Sequence, residues 1–584
     1  MNKDEISVIL GQVARVLELK GENPFKVRAY TNAARALETL GGDLAKMIDE
    51  DRLREVEGIG KAIAEKISTL VKTGRLEYYE KLRDEFPPEI FVLFELQGLG
   101  AKKIKVLYET LGISSITRLE RACKEGRIAA LAGFGAKTSE NILKAIEQRN
   151  KSIGQFRLGD VAALAEELLD DLRSHPRVLL AQIAGSYRRK KEIVRDLDFI
   201  ISTTKPAEIF RDFLRHPQVE SVVARGDTKT SVLLGSGIQC DLRAVAGAEF
   251  PFALNYFTGS KEHNVRMRTR ALDRGWSLNE YRFSKAEGRD LKKPLPEVHS
   301  EPDIYRSLGL AYIEPELRED RGEFEAAENG RLPSLLDWPN LRGTFHCHTT
   351  ESDGRASLEE MAEAAKELGM QYLGLADHSK SSFQANGLDE KRLLDQLERI
   401  RRYNREHQPF RLFAGTECDI RRDGSLDFAD EVLAQMDYVV VSVHASFAMS
   451  EGAMTNRIIK AMQNAHASML GHLTGRLLLT RDPYRVDIPA VIEAAAATRT
   501  VIELNANPRR LDMDWRWWPL AKEKGVKCSI NPDAHSVPAL QDLVFGVGAA
   551  RKGWLSREDV INTLPLGKIE EQLVVKRLAR PAVS

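Results

Sequence analysis

Asp196 and Asp198 open an apolar run, FIIS, so in an extended strand their carboxylates fall on one side. Asp241, inside the run IQCDLRAV, completes a cluster if its strand lies alongside. Carboxylates aimed at one point repel unless a cation sits among them, and hard oxygen donors suit Mg²⁺ or Mn²⁺. Two ions held this way can activate a hydroxyl and neutralise a phosphate, which is the chemistry of nucleotidyl transfer. Just upstream, Gly185-Ser186-Tyr187-Arg188-Arg189 follows the apolar run VLLAQIA; its Gly-Ser turn and Arg189 form a grip for a triphosphate. An isolated Asp-x-Asp is usually a solvated surface pair, but acids between such a turn and a buried strand are not.

The last third of the chain carries a second set. Of twelve histidines, six (His346, His348, His378, His444, His472 and His535) fall at predicted strand ends or in the loops that follow. His346-Cys347-His348 puts two imidazoles on one side of a strand, and Asp353 follows in a Ser-Asp-Gly turn. Asp377-His378, Thr416-Glu417 and Asp533-Ala534-His535 add carboxylates at similar places. One strand-end histidine is more often a packed or hydrogen-bonded residue. Six after successive strands make metal ligation the economical reading, and a mixed nitrogen and oxygen set suits Mn²⁺, Zn²⁺ or Fe²⁺. Such ions activate water for attack on a phosphodiester, and Arg509 or Arg510, beside Asn505-Ala506-Asn507-Pro508, would neutralise phosphate charge.

Three turns near the N-terminus share a hydrophobic-Gly-hydrophobic-Gly pattern: Val56-Glu57-Gly58-Ile59-Gly60, Leu96-Gln97-Gly98-Leu99-Gly100 and Leu131-Ala132-Gly133-Phe134-Gly135. Glycine lets the backbone approach a strand closely, and the amides at the next helix N-terminus can hold a phosphate. A single such turn is as well explained as a helical corner. Three, followed by Lys61, by Lys102 with Lys103, and by Lys137, favour binding of a nucleic-acid backbone.

Positioning these groups takes several elements. At 584 residues the chain exceeds what one core organises. Amphipathic helices run to about Gln148, and mixed helix and strand patterns fill Gly154 to Arg321. The Gly/Pro/acid-rich segment 322–341 reads as a linker. Beyond it, short buried-type strands alternate with helices in the rhythm of a β/α barrel, whose strand C-termini carry the chemistry. The expected class is therefore multidomain α+β. No long apolar run predicts a membrane span or export, and five scattered cysteines suit a reducing cytoplasm. Eighty-six basic against 86 acidic residues leave no net charge, so composition does not reveal a nucleic-acid partner and the motifs must.

GSYRRKKEIVRDLDFI resembles the nucleotidyltransferase signature of the family X DNA polymerases, the family of DNA polymerase beta. The resemblance extends to Tyr256-Phe257-Thr258-Gly259-Ser260, which in that family lies against the sugar of the incoming nucleotide. It implies contacts to the nascent base pair and template from Asn264 and Arg268, and a further triphosphate contact from Arg157. Glu314 stands where the family commonly has a proline, a departure confined to a loop. The hairpins resemble helix-hairpin-helix DNA-binding motifs. The segment Gly58 to Lys66 is similar to the lyase site of the same family, with Lys66 at the Schiff-base position and Lys26 and Tyr30 nearby. A neutral amine there would attack the aldehyde of an abasic sugar. Ala62 replaces a family lysine, and the plainer reading of Lys66 is a helix lysine that contacts phosphate.

The histidine-rich region resembles the PHP domain, a distorted β/α barrel with a trinuclear metal centre. That resemblance implies one ion on His346, His348, Glu417 and Asp533, a second on Glu417, His444 and His472, and a third on Asp353, His378 and His535. The implied order is a helical lyase-like domain at 1–84, a fingers-like domain at 85–153, an α/β nucleotidyltransferase palm with thumb at 154–321, the linker 322–341, and a PHP domain at 342–584. The implied function is short-gap filling in DNA repair on gapped or nicked DNA with deoxynucleoside triphosphates, alongside other repair proteins. The last domain would act as a 3′–5′ exonuclease and apurinic-site endonuclease. Two rival readings are a histidinol-type phosphatase fused to nucleic-acid modules and a non-catalytic DNA end-binding scaffold. The complete carboxylate and histidine sets oppose the second.

Overall fold

The computed structural model describes residues 1, 3–39, 44–50, 52–56, 58–96, 98–288 and 294–578. The chain divides into two compact units, Met1–Ile153 and Gly154–Ser584. None of the described helices is long and apolar enough to cross a membrane.

The first unit is helical. Its apolar side chains gather in two clusters, one around Leu10, Leu17, Ala33 and Ile67, the other around Ile90, Leu107, Leu119 and Ile146. Gly58 and Gly98 take left-handed backbone with φ of 91° and 82°, while Gly60 and Gly100 are extended and cap the helices Lys61–Thr73 and Ala101–Leu111. Glu57 and Gln97 of these turns lie outside the described residues. The third turn differs: Gly133 and Gly135 both have positive φ, 84° and 69°, and Gly135 is itself the first residue of its helix. Sequence likeness among the three turns thus covers two geometries.

The second unit begins with a five-stranded sheet. In spatial order its strands are Leu180–Ile183, Asp196–Ser202, Gln239–Val245, Lys229–Leu234 and Val219–Arg225. All neighbours run antiparallel except Asp196–Ser202 and Gln239–Val245, which are parallel with Asp198 opposite Asp241. The helix Leu158–Ser174 buries Leu158, Val161, Ala165, Leu168, Leu169 and Leu172, spaced at helical period, against one face of this sheet. Each of the larger side chains contributes about 1.5–3 kcal/mol by leaving water. A separate cluster around Met267, Trp276, Ile304, Leu317 and Phe324 forms the following subdomain.

The segment 322–341, expected to be a linker, is packed. Glu323–Glu328 is a helix with Phe324 fully buried, and Leu336 is buried further along. Glu323 accepts from the amides of Asp320 and Arg321 and meets buried His263 at 2.9 Å. A Gly/Pro/acid-rich composition misled here because two or three anchor residues are enough to pin such a segment.

The C-terminal region builds two parallel sheets. One holds Gly343–Cys347, Tyr372–Leu375 and Arg411–Ala414; the other holds Glu417–Asp419, Val440–Ser442, Met469–Leu470, Val501–Asn505 and Cys528–Asn531. Arg411–Ala414 and Glu417–Asp419 follow one another directly in the chain, and single parallel bridges link His378 to Glu417 and Cys347 to Ala534. These single bridges join the two sheets into a ring of parallel strands with helices between them, in keeping with the β/α rhythm, while the hydrogen-bonded ladders of the described residues remain two separate sheets.

Candidate active sites

In the five-stranded sheet, strand alternation and parallel register bring Asp196, Asp198 and Asp241 to one end. Gly185 stands against them: a Cβ there would lie 2.4 Å from a carboxylate oxygen of Asp198, and its φ is 63°. Only glycine allows the turn to approach so closely. Burial, then Asp196 and Asp241, push the Asp198 carboxyl up to about 7, and burial with Asp241 also raises Asp196. Asp241 goes the other way, because hydrogen bonds from Lys229, Ser231 and Gln239 outweigh its burial. Sequence reading missed Lys229, which pairs with Asp241 and supplies the counter-charge. Among the described residues, the groups of three or more ligand atoms that lie within 4.8 Å of one another are in the C-terminal region. A carboxylate raised by burial and by two neighbouring acids regains its charge beside a cation, and the all-oxygen donor set fits a hard divalent ion.

The expected nucleotide contacts surround this cluster. Gly185 and Ser186 lie in the short helix Gly185–Arg188. Arg189 donates to the Thr258 carbonyl and pairs with Glu319 at 3.0 Å. Gly259, with φ 73°, brings its backbone against that guanidinium, since a Cβ would lie 3.0 Å from Arg189 Nη1. Tyr256 and Phe257 end the helix Phe250–Thr258, and the Arg243 guanidinium stacks 4.1 Å from the Phe257 ring centre. Asn264 donates to the Tyr256 carbonyl at 2.7 Å, which fixes that corner. Arg157 pairs with Asp160 at 2.7 Å, and Arg268 is exposed on the helix Lys261–Asp273.

In the ring, all nine expected ligands converge at strand ends. Four groups of ligand atoms form: His346, His348 and Asp533; His346, Glu417 and His472; His378, Glu417 and His444; and His348, Asp353, His378 and His535. Glu417 is central, with His472 at 2.9 Å, His444 and His346 at 3.2 Å, and His378 at 2.8 Å. The partition among three ions implied by resemblance is thus only partly mirrored: His346 with Glu417 agrees with it, whereas His378 also groups with Glu417 and His444, His346 with His472, and His348 with Asp353 and His535. Buried His346 Nε2, His348 Nε2, His378 Nδ1 and Glu417 Oε2 crowd together without forming hydrogen bonds of good geometry. Orphaned lone pairs at such a place fit divalent metal ions. His346 and Asp533 also hold strained positive φ of 58° and 52°.

Residues that orient these ligands were not foreseen. Glu503 accepts from His346 Nδ1 at 2.5 Å and from the His472 amide at 2.9 Å. Asp419 meets His444 Nδ1 at 2.8 Å. Asp377, considered a donor to the cluster from its position, instead accepts from Thr349, Ser352 and Gln396 and secures the loop before Asp353. The imidazoles of His444 and His346 hold Glu417 well below the carboxylate range despite its burial. A cavity of about 590 Å³ opens over the cluster, lined by Arg421, Arg422, Arg457 and Arg510 among others. Arg510 approaches Asp533 at 3.4 Å, whereas Arg509 is exposed outside that lining.

In the helical unit, Lys66 donates to the Ala62 carbonyl, and its ammonium lies 5.0 Å from the Tyr78 ring centre. Lys26 lies 5.9 Å from the same ring, on which Tyr30 stacks at 6.2 Å. Lys66 thus meets Lys26 and Tyr30, neighbours on the helix Pro24–Thr39, around Tyr78.

Matches to known families follow this layout. A helix-hairpin-helix domain matches residues 1–76, a SAM-like helix-hairpin-helix tandem 92–148, a DNA polymerase beta thumb 253–319, and a PHP domain 344–507. The chain is 40% identical over 572 residues to the DNA polymerase/3′–5′ exonuclease PolX of Bacillus subtilis (strain 168), covering 98% of this chain and 99% of the relative. The chain belongs to the PolX family of DNA polymerase/3′–5′ exonucleases. DNA polymerase lambda of Rattus norvegicus is 24% identical over 53% of this chain and 54% of its own length. A probable phosphatase of Thermoanaerobacter sp. (strain X514) is 26% identical over 40% of this chain and 94% of its own. PolX membership spans both sites in one sequence and implies dependence on divalent metal, with DNA and deoxynucleoside triphosphates as substrates.

Proposed function

We propose that the chain fills short gaps in damaged DNA from the aspartate cluster of the five-stranded sheet and trims or opens DNA ends from the histidine-rich ring. The observation that carries this reading is that two separate ligand sets, one all-carboxylate and one mixed, sit in one chain of a polymerase/exonuclease family. Mg²⁺ or Mn²⁺ on Asp196, Asp198 and Asp241 would supply hydroxyl activation and charge neutralisation during nucleotidyl transfer. Arg189, Gly185 and Ser186 hold the triphosphate, with Arg157 at its side. Tyr256, Phe257 and Gly259 present a wall to the sugar, and Asn264 keeps that wall in place through the Tyr256 carbonyl. Arg268 lies towards the template.

Up to three ions of Mn²⁺, Zn²⁺ or Fe²⁺ on the nine ring ligands would supply Lewis acidity and activated water for phosphodiester hydrolysis. Arg510 and the other cavity arginines receive the phosphate, and Glu503 and Asp419 keep the imidazoles turned inward. The hairpin glycines Gly58, Gly60, Gly98 and Gly100, with Lys61, grip the DNA backbone; Gly133 and Gly135 do so with a different turn. The division into lyase-like, fingers-like, palm-thumb and PHP regions at 84/85, 153/154 and 341/342 belongs to this reading, as does action in the cytoplasm.

The test uses a gapped duplex with a recessed 3′ end. Asp198→Ala should abolish extension and spare degradation, while His346→Ala with His348→Ala should lose bound metal and degradation and spare extension. Undiminished extension by Asp198→Ala, or degradation that vanishes only in that variant, would refute the division of labour. Resemblance to a probable phosphatase favours a second substrate for the ring; release of phosphate from histidinol phosphate faster than from DNA ends would establish it.

A further inference from the structure

Lys552, the last residue of the helix Leu543–Lys552 in the C-terminal region, is fully buried although a lysine is rarely so. Its ammonium donates to the Arg189 carbonyl at 3.1 Å, the Glu316 carbonyl at 3.3 Å and Glu319 Oε1 at 2.5 Å. It also lies 4.5 Å from the ring centre of Trp515. The same Glu319 oxygen accepts from Arg189 Nε at 3.0 Å. Trp515 in turn donates to Glu192 at 3.1 Å. Lys190, beside Arg189 and with φ 53°, packs so closely on Gly548 that a Cβ there would lie 3.2 Å from its side chain. The loop that follows the Gly-Ser turn is therefore braced on three sides by residues of the ring domain.

We propose that Lys552 is a positioning residue for nucleotide addition: the ring domain lends a buried cation that offsets Glu319 and so leaves the Arg189 guanidinium free to attract a triphosphate. This inference rests on the reading of Arg189 as a triphosphate contact. Without Lys552, Arg189 and Glu319 form a neutral pair; with it, the trio carries one net positive charge beside the aspartate cluster. Glu319 is held at about 2 because Lys552 and Arg189 outweigh its burial. Burial lowers Lys552 only to about 8, with Glu319 opposing, so it stays charged at neutral pH. Lys552 itself cannot touch the substrate, being closed off from solvent.

The experiment measures KM and kcat for a deoxynucleoside triphosphate on a gapped duplex, with 3′-end degradation and the melting temperature as controls for the fold. Lys552→Met should raise KM about tenfold, the effect of one charge at short range, and leave kcat within about twofold. Glu319→Gln should leave KM unchanged or lower it. The double variant, which restores one net charge, should return KM to near the wild-type value, a recovery that a packing defect does not give. An unchanged KM in Lys552→Met overturns the proposal, as does a raised KM in Glu319→Gln. Parallel loss of extension, degradation and stability without recovery in the double variant also overturns it, reducing Lys552 to a strut. Arg189→Gln separates the premise: if it leaves KM unchanged, Arg189 is not a triphosphate contact; if it raises KM and Lys552→Met does not, only the inference about Lys552 falls.

Discussion

Glu503 offers the sharpest test of how the ring holds metal. Its carboxylate is fully buried, and each oxygen accepts twice: Oε1 from the His472 amide and Asn505 Nδ2, both at 2.9 Å, and Oε2 from His346 Nδ1 at 2.5 Å and Asn531 Nδ2 at 2.8 Å. Glu503→Gln keeps the shape but turns one oxygen into an NH₂ that faces two donors. If the NH₂ takes the Oε1 side, it confronts the His472 amide, which cannot rotate away. If it takes the Oε2 side, His346 loses the acceptor that keeps the proton on Nδ1 and leaves Nε2 bare towards the cluster. Loss of such an orienting partner costs about 10–100-fold in metal affinity, equivalent to about 1.4–2.8 kcal/mol. Equilibrium dialysis against Mn²⁺, with degradation of a 3′ end followed across the same titration, should show both curves displaced to higher metal by that factor. Extension of a gapped primer should be unchanged. Superimposable titrations, or equal loss of extension, would refute the orienting role.

Glu301 lies between Arg188 at 2.5 Å and fully buried Arg318 at 2.8 Å. The arginines outweigh burial and hold its carboxyl at about 2 against an ordinary 4.5, so it contributes about 3 kcal/mol at neutral pH. This stability is complete above the ordinary value and is lost as pH falls towards the depressed one; Glu301→Gln should therefore lower urea resistance at pH 7 and show a shallower acid loss. A urea midpoint unchanged at pH 7 would count against the pair. For Lys66, borohydride should trap a covalent adduct on a 5′-deoxyribose-phosphate end, and Lys66→Ala should remove it. A full-yield adduct in the variant would move the nucleophile elsewhere.

Groups whose place follows from local period were legible in the sequence. Asp196 and Asp198 share a face because strands alternate, and the ring histidines end short buried strands, so both sets could be named without knowing the fold. What local pattern does not carry is the partner across space. Lys229 meets Asp241 only through the register of two neighbouring strands, and Lys552 reaches Glu319 from 233 residues further along the chain. Glu503 reads as one polar position in the run VIELN, and nothing in that run indicates an imidazole more than 150 residues away in sequence. The likeness of the third hairpin to the other two concealed a different backbone at Gly135.

The closure of the ring has a topological consequence. The strand Gly343–Cys347, which carries His346 and leads into His348, is bridged to the strand end before His535 through Cys347 and Ala534, more than 180 residues later. A ligand cluster that draws on both ends works as a clasp on a very long loop, whose closure must be met from conformational entropy before any ligand can be gained. No nascent chain can assemble this centre until nearly all of the domain has been synthesised. Ions that bind the closed ring draw the equilibrium towards it in proportion to their concentration. Where divalent ions occupy these ligands, metal supply and completion of the C-terminal fold are linked, and chelation would weaken the seam between the first and last strands.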